Sequence, residues 1–88
     1  MKAQAKKRYP FKLPTKEYPD FPERLRYMMT LRNCTVADLA KYVYVSKTTI
    51  CNYRSGARCP DIPTLRRLCL TLNVSADFLI GLREDTYL

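Results

Sequence analysis

The chain has 88 residues, 47% of them hydrophobic, which is enough for one small domain with a single apolar core. The 16 lysines and arginines exceed the 8 acidic residues and give a formal net charge of +8, which predicts a polyanionic partner, either nucleic acid or an anionic membrane surface. No apolar run approaches the roughly 18 residues of a membrane span, so no membrane partner is expected. With no histidine, no glycine-rich phosphate loop and no nucleophile motif, we do not expect an enzyme.

The cysteines are spread along the chain and form no close pair of the kind found in zinc sites. They are Cys34, Cys51, Cys59 and Cys69. The basic N-terminus lacks the apolar segment of a signal peptide, so a secreted disulfide framework is not expected. We predict a cytoplasmic protein with reduced, mostly core thiols and with no metal, cofactor or small-molecule ligand.

Residues 1–20 differ from the rest, because three prolines interrupt a run of basic side chains and forbid a continuous helix. We predict an extended basic arm, for which there are three interpretations. The first is that it wraps DNA and adds phosphate contacts through Lys6, Lys7, Arg8 and Lys12. The second is that its aromatic residues, Tyr9, Phe11 and Tyr18, fold against the domain or a second subunit. The third is a disordered tail.

A helical pattern begins at Phe21 and predicts a first helix from about Pro22 to Arg32. Its apolar face is formed by Phe21, Leu25, Met28 and Met29. Asn33 is a suitable stop, because asparagine tolerates the left-handed conformation. A second helix follows Thr35, an N-cap with Asp38 three residues later in an acidic variant of the capping box. Its predicted core face is Val36, Leu39, Ala40 and Val43.

Three further helices are predicted by caps and stops. Ser46 caps the third, which ends near Ser55 and Gly56. Asp61 caps the fourth, whose predicted buried stripe is Ile62, Leu65, Leu68, Cys69 and Leu72. Asn73 stops it, Ser75 caps a short fifth helix with Phe78 and Leu79, and Gly81 closes that helix. Five helices with short connections predict a compact all-α bundle.

Helices two and three are joined by only about three residues, Tyr44 to Ser46, which is the arrangement of a helix-turn-helix. At 100° per residue, Ile50 and Tyr53 define the buried side of helix three. Lys47, Thr48, Cys51 and Asn52 fall on the opposite side. Cation, hydroxyl and amide groups can read base edges in a major groove, although an ordinary solvated helix face would also be polar.

The stretch from Phe21 to Leu82, about 70% of the chain, resembles the phage-repressor-like (Xre/Cro-like) helix-turn-helix family. The matching residues keep their order and spacing: Leu25, Met28, Thr35, Leu39, Ala40, Val45, Ser46, Ile50, Gly56, Pro60, Thr64, Leu65, Asn73 to Ser75 and Asp77 to Leu82. The resemblance implies a lambda-repressor-like DNA-binding domain over 21–83, with a short tail at 84–88. It also implies a cytoplasmic transcriptional regulator of bacterial or phage origin, foremost a repressor, that binds double-stranded DNA sequence-specifically.

The resemblance also implies roles for individual residues. Lys47, Thr48 and Asn52 would contact base edges. Phosphate contacts would come from Ser46, Thr49, Ser55, Gly56 and Arg58. Related domains usually bind palindromic operators as dimers, so we expect a homodimer through helix five or the arm, and no effector domain after helix five. The alternative function is that of an antitoxin or protein-interaction adaptor with the same fold.

Three positions depart from the family pattern. Val36 stands where many members have a glutamine that touches DNA, so this contact should be absent or reduced to backbone N–H groups. Tyr44 stands where glycine is frequent and is expected to be strained if its φ is positive. Met29 and Arg54 replace an arginine–glutamate pair, which leaves an exposed Arg54 for a further phosphate contact.

Overall fold

The computed structural model describes residues 20–88, and every regular element in this range is an α-helix. The helices are α1 (Asp20–Leu31), α2 (Val36–Val43), α3 (Lys47–Ser55), α4 (Ile62–Leu72) and α5 (Ala76–Leu79). The predicted compact five-helix fold is confirmed, with α1 beginning two residues before the expected Pro22. The expected DNA contacts of the arm, Lys6, Lys7, Arg8 and Lys12, lie outside the described residues, as do its aromatic residues.

Four helices begin at the N-caps that the sequence predicts. The side-chain oxygens of Thr35, Ser46, Asp61 and Ser75 each accept a hydrogen bond from the backbone N–H three residues later, at 2.9–3.0 Å. At α2 the capping box is complete, because the Thr35 N–H donates to the Asp38 carboxylate over 3.1 Å. Each cap satisfies a donor that the first turn of a helix leaves without a partner.

Left-handed residues end the helices where the sequence predicts stops. Asn33 follows α1 with φ 55°, Gly56 follows α3 with φ 86°, and Asn73 follows α4 with φ 52°. Asparagine and glycine adopt this conformation at low cost, so the stops are local properties of the sequence. The connections are short as a result. Two consecutive pairs, α2 with α3 and α4 with α5, pack on each other, whereas α1 packs on α3 and α5, and α2 also packs on α4.

The core lies between all five helices. Its fully buried side chains are Leu25, Met28, Leu39, Val43, Ile50, Leu68, Leu72, Val74 and Leu79. Val36 and Leu65 are partly buried and pack against this cluster. The predicted burial of Ile62 is wrong, since its side chain is 76% exposed. Helical periodicity gives the direction of a side chain, but no element within residues 20–88 covers the first residue of α4.

The expectation of mostly core thiols is also wrong. Only Cys69 is buried, Cys34 is half-buried, and Cys51 and Cys59 are exposed. Burial raises the pKa of the Cys69 thiol. Burial, and then the nearby Asp38 carboxylate, raise the pKa of Cys34. These two thiols are therefore held protonated and poorly nucleophilic.

The guanidinium of Arg24 joins α1 to the C-terminal part of the chain. It donates hydrogen bonds to the carbonyl oxygens of Phe78 and Arg83, at 3.0 and 2.8 Å, and to the carboxylate of Glu84 at 3.1 Å. It also lies over the Phe78 ring, 4.5 Å from its centroid. The segment after α5 is held further by the N–H of Ser75, which donates to the carbonyl of Thr86. The tail therefore packs on the domain.

Candidate nucleic-acid interface

A three-residue turn, Tyr44 to Ser46, sets α3 against α2. Tyr44 is left-handed, with φ 64° and ψ 45°, so the positive φ considered from the sequence is present. The N–H groups of Tyr44 and Val45 both donate to the carbonyl of Ala40 and close the end of α2. Ala40 is buried, and its small side chain allows the two helices to cross closely. This is the predicted helix-turn-helix.

The orientation of α3 is fixed by two inward side chains. Ile50 is fully buried, and Tyr53 packs edge-on against Phe21, with ring centroids 6.5 Å apart. On the opposite side, Lys47 and Thr48 are exposed and Asn52 is half-buried. The helical wheel drawn from the sequence therefore separates the two faces correctly.

The N-terminal end of α3 carries two hydroxyl groups. The oxygens of Ser46 and Thr49 lie 2.9 Å apart and share a hydrogen bond, while the Ser46 oxygen also caps the helix. The first N–H groups of α3 have no acceptor within the helix, and the helix dipole places partial positive charge there. This end of α3 is therefore suited to a negatively charged group.

The loop after α3 uses several of its polar groups internally. The Ser55 hydroxyl donates to the carbonyl of Asn52 and accepts from the N–H of Ala57. The N–H of Gly56 donates to the carbonyl of Tyr53, at a long 3.4 Å. The N–H of Arg58 donates to the carbonyl of Asn52, and the cationic side chain of Arg58 is exposed. These hydrogen bonds fix the path of the backbone from which the Arg58 side chain extends.

Arg54 differs from its expected state, because it is half-buried and not exposed. Its Nε atom is buried and has no hydrogen-bond partner in the described part of the chain. Nη1 of Arg26 donates to the Arg54 carbonyl, so two guanidinium groups lie near the end of α3. Arg26 was not predicted from the sequence to be a site residue. It lies three residues before the buried Met29 on the same side of α1, and this position places it next to α3.

No acidic residue occurs between Lys47 and Pro60, whereas this stretch contains three cations. The nearest carboxylates in sequence are helix caps. Hydrogen bonds from the Thr35 backbone and side chain lower the pKa of Asp38, and those from Thr64 lower the pKa of Asp61. These lowered pKa values keep both carboxylates ionised, so the positive charge of the surface formed by α3 and the loop after it comes from its three cations alone.

Within residues 20–88, no group of three or more histidine, cysteine, aspartate or glutamate side chains is arranged to hold a metal ion. The helices of this range are also too short or too polar for any of them to cross a membrane.

Comparison with known proteins agrees with this geometry. The model of a helix-turn-helix family matches residues 25–79. A curated relative, the HTH-type transcriptional activator BcrR of Enterococcus faecalis, is 32% identical over 65 residues, which cover 74% of this chain. This chain spans only 32% of the length of that relative. A transcriptional regulator from Listeria innocua has a similar solved structure, with a TM-score of 0.66 and 28% identity over 76% of this chain and 63% of that one.

The family match covers more than half of the chain and includes the turn and both of its helices. The chain therefore belongs to the phage-repressor-like helix-turn-helix family of DNA-binding transcriptional regulators.

Proposed function

We propose that this chain regulates transcription by binding a specific double-stranded DNA sequence, with α3 in the major groove. The observation that carries the proposal is the outward face of α3, where Lys47, Thr48 and Asn52 lie opposite the buried Ile50 and Tyr53. Lysine suits the acceptors of guanine, asparagine suits adenine, and threonine suits a hydroxyl contact or a thymine methyl group. These three residues are the proposed base contacts.

The proposed phosphate contacts surround this face. They are Ser46, Thr49, Ser55, Gly56, Arg58 and Arg54. Ser46 and Thr49 support a contact at the first turn of α3, where hydroxyl and N–H groups lie together. Arg58 supports one at the other end through its exposed cation. Such contacts fix the register of the protein on the duplex, and base contacts select the sequence.

Selection of bound sequences from a random pool of duplexes tests this proposal. The expected result is one enriched sequence, with Lys47→Ala and Asn52→Ala each weakening discrimination at one base pair by about 1–3 kcal/mol. Arg66→Ala is the matched control, because Arg66 is exposed on α4. Either of two other results would refute the proposal. Binding without sequence preference would favour a non-specific nucleic-acid-binding protein, and no binding would favour a protein-interaction role.

For the regulatory effect we propose repression, exerted in the cytoplasm where the DNA is accessible. Repression needs only occupancy of a promoter, whereas activation needs an additional contact with the transcription machinery. A reporter gene placed behind the selected sequence distinguishes the two. Reduced expression supports repression, and increased expression would assign this chain the role named for the Enterococcus faecalis relative.

We further propose a homodimer formed through the end of α5. Ile80 and Leu82, which follow this helix, are 40% and 70% exposed and supply apolar surface for a partner. A dimer would place two α3 helices in half-sites about 34 Å apart. Sedimentation should detect a dimer that Leu82→Asp converts to a monomer. Finding only monomer, with and without operator DNA, contradicts this proposal.

The arm, finally, is proposed to add phosphate contacts through Lys6, Lys7, Arg8 and Lys12. Deleting residues 1–16 should lower the slope of log K against log salt by about 0.9 for each phosphate that the arm neutralises. An unchanged slope would leave the arm with a packing role or none.

A further inference from the structure

An open groove of about 320 Å³ lies beside the first turn of α1. Its walls are formed by the start of α1, the loop after α3, one side of α4 and the residue after α5. The apolar side chains that line it are Phe21, Pro22, Pro60, Leu65 and Ile80. Among its lining residues within 20–88, Arg58 alone carries a charge. At roughly 30 Å³ per molecule, the groove holds about ten waters against mainly apolar walls, which is unfavourable.

The groove lies where the N-terminal arm joins the domain. Asp20, the last residue of the arm, directly precedes Phe21 and Pro22, which line the groove. A reversal of the chain takes as few as about four residues, so a segment of the arm that lies shortly before Asp20 can turn back into the groove. Such a tether also holds the segment near the groove at an effective concentration of about 1 mM.

One segment of the arm, residues 8–13, has two chemically different edges. Its odd-numbered positions are apolar, namely Tyr9, Phe11 and Leu13. Its even-numbered positions are basic or proline, namely Arg8, Pro10 and Lys12. Proline favours extended backbone for the residue before it, and in extended backbone alternate side chains point to opposite sides. An extended segment 8–13 therefore presents one apolar edge and one basic edge.

We propose that residues 9–13 dock in the groove of their own chain and cover Leu65 and Ile80. The apolar edge enters the groove, and the basic edge remains in water. The opposite arrangement would bring Lys12 towards the Arg58 guanidinium, and like charges close together repel each other. Six residues separate Leu13 from Asp20, which is enough for the reversal. This inference goes beyond the proposed DNA binding and does not depend on it.

Two thiols of the protein report whether the groove is occupied. Cys59 is exposed and lines the groove, whereas Cys51 is exposed on α3 outside it. At an effective concentration of about 1 mM, a segment with an affinity of about 0.1 mM occupies the groove for about nine-tenths of the time. Docking should therefore slow the alkylation of Cys59 about tenfold and leave that of Cys51 unchanged.

The experiment follows both thiols by mass spectrometry in wild type, in the double variant Phe11→Ser/Leu13→Ser and in Tyr18→Ser. Tyr18 is the matched control, because it is an aromatic residue of the arm outside the alternating segment. Cys59 should react about tenfold faster in the double variant than in wild type, and the control should behave as wild type. Equal rates at Cys59 in wild type and the double variant would overturn the proposal. A control that releases Cys59 as fully as the double variant would overturn it too.

Nuclear Overhauser contacts in the wild-type protein give a second measurement that needs no variant. Ring protons of Phe11 should contact methyl groups of Leu65 or Ile80, and in a mixture of differently labelled chains these contacts should arise within one chain. Their absence would overturn the proposal, even where the double variant accelerates Cys59 and Cys51 together. Contacts between chains would assign the groove to the arm of a second copy and overturn docking within one chain. Neither measurement uses DNA, so this proposal and the proposed function fail separately.

Discussion

Tyr44 holds a left-handed backbone at the turn between α2 and α3. A residue with a Cβ atom loses about 1–2 kcal/mol in this conformation, whereas glycine adopts it freely. Its ring is 80% exposed and lies beside the Arg67 guanidinium, which is 5.5 Å from the ring centroid. Tyr44→Ala and Tyr44→Gly both remove the ring, so their difference in stability contains no ring contacts and is set by the backbone strain and the folding entropy of glycine.

We expect Tyr44→Gly to be more stable than Tyr44→Ala by roughly 0.5–1 kcal/mol. The strain relieved, about 1–2 kcal/mol, exceeds the entropy that glycine loses on folding, about 0.5–1 kcal/mol. In thermal unfolding this is a difference of several degrees, since about 1 kcal/mol shifts Tm by roughly 4–8 °C in a domain of this size. Arg66 is exposed in the interior of α4, and the same two substitutions there should have the opposite order. Arg66→Gly should be less stable than Arg66→Ala by about 1 kcal/mol. Glycine less stable at both positions would refute the argument.

Four further predictions follow from the caps, the thiols and Arg24. Thr35→Ala should cost about 1 kcal/mol of stability in urea unfolding, because the first turn of α2 loses its cap. Hydrogen bonds from Thr35 lower the pKa of Asp38, so the ionised Asp38 carboxylate stabilises the fold above its unfolded-state pKa, and this stabilisation is lost as the pH falls through the folded-state pKa. In a plot of unfolding free energy against pH, Asp38→Asn should therefore flatten the acid side. Mass spectrometry should show Cys51 alkylated long before the buried Cys69, and operator DNA should slow the reaction of Cys51. Arg24→Lys should lower stability by about 2 kcal/mol although it keeps the charge, because lysine cannot reproduce the fork that reaches three acceptors.

The helix boundaries were predictable from the sequence because each is decided within one turn of the chain. Thr35 and Asp38 make their capping box through side chains three residues apart, and Asn33 and Asn73 stop helices through their own backbone preference. The outward face of α3 was predictable for the same reason, since Ile50 fixes the rotation of a short regular helix.

What the sequence did not predict depends on residues far apart in the chain. Ile62 shares the face of the buried stripe of α4, but burial requires another element to cover it, and none of the five helices does. Arg54 was expected at the surface because a charged side chain normally stays solvated, yet the packing of α1 and α2 around it buries its Nε atom. Arg24 bonds to groups 54 to 60 residues away, a relation that no local pattern contains.

The turn at Tyr44 links the stability of the domain to the geometry of its interface, and it does so through the backbone. Both helices of the motif present a capped N-terminus, at Thr35 and at Ser46, and the turn sets the distance and angle between these two ends. Two N–H groups of the turn share the Ala40 carbonyl, so a shift by one residue would break the end of α2. Tyr44 contributes no side chain to the outward face of α3. Substitutions of Tyr44 should therefore change the unfolding free energy and leave the preferred DNA sequence unchanged. Substitutions of Lys47 and Asn52 should change the preferred DNA sequence and leave the unfolding free energy unchanged.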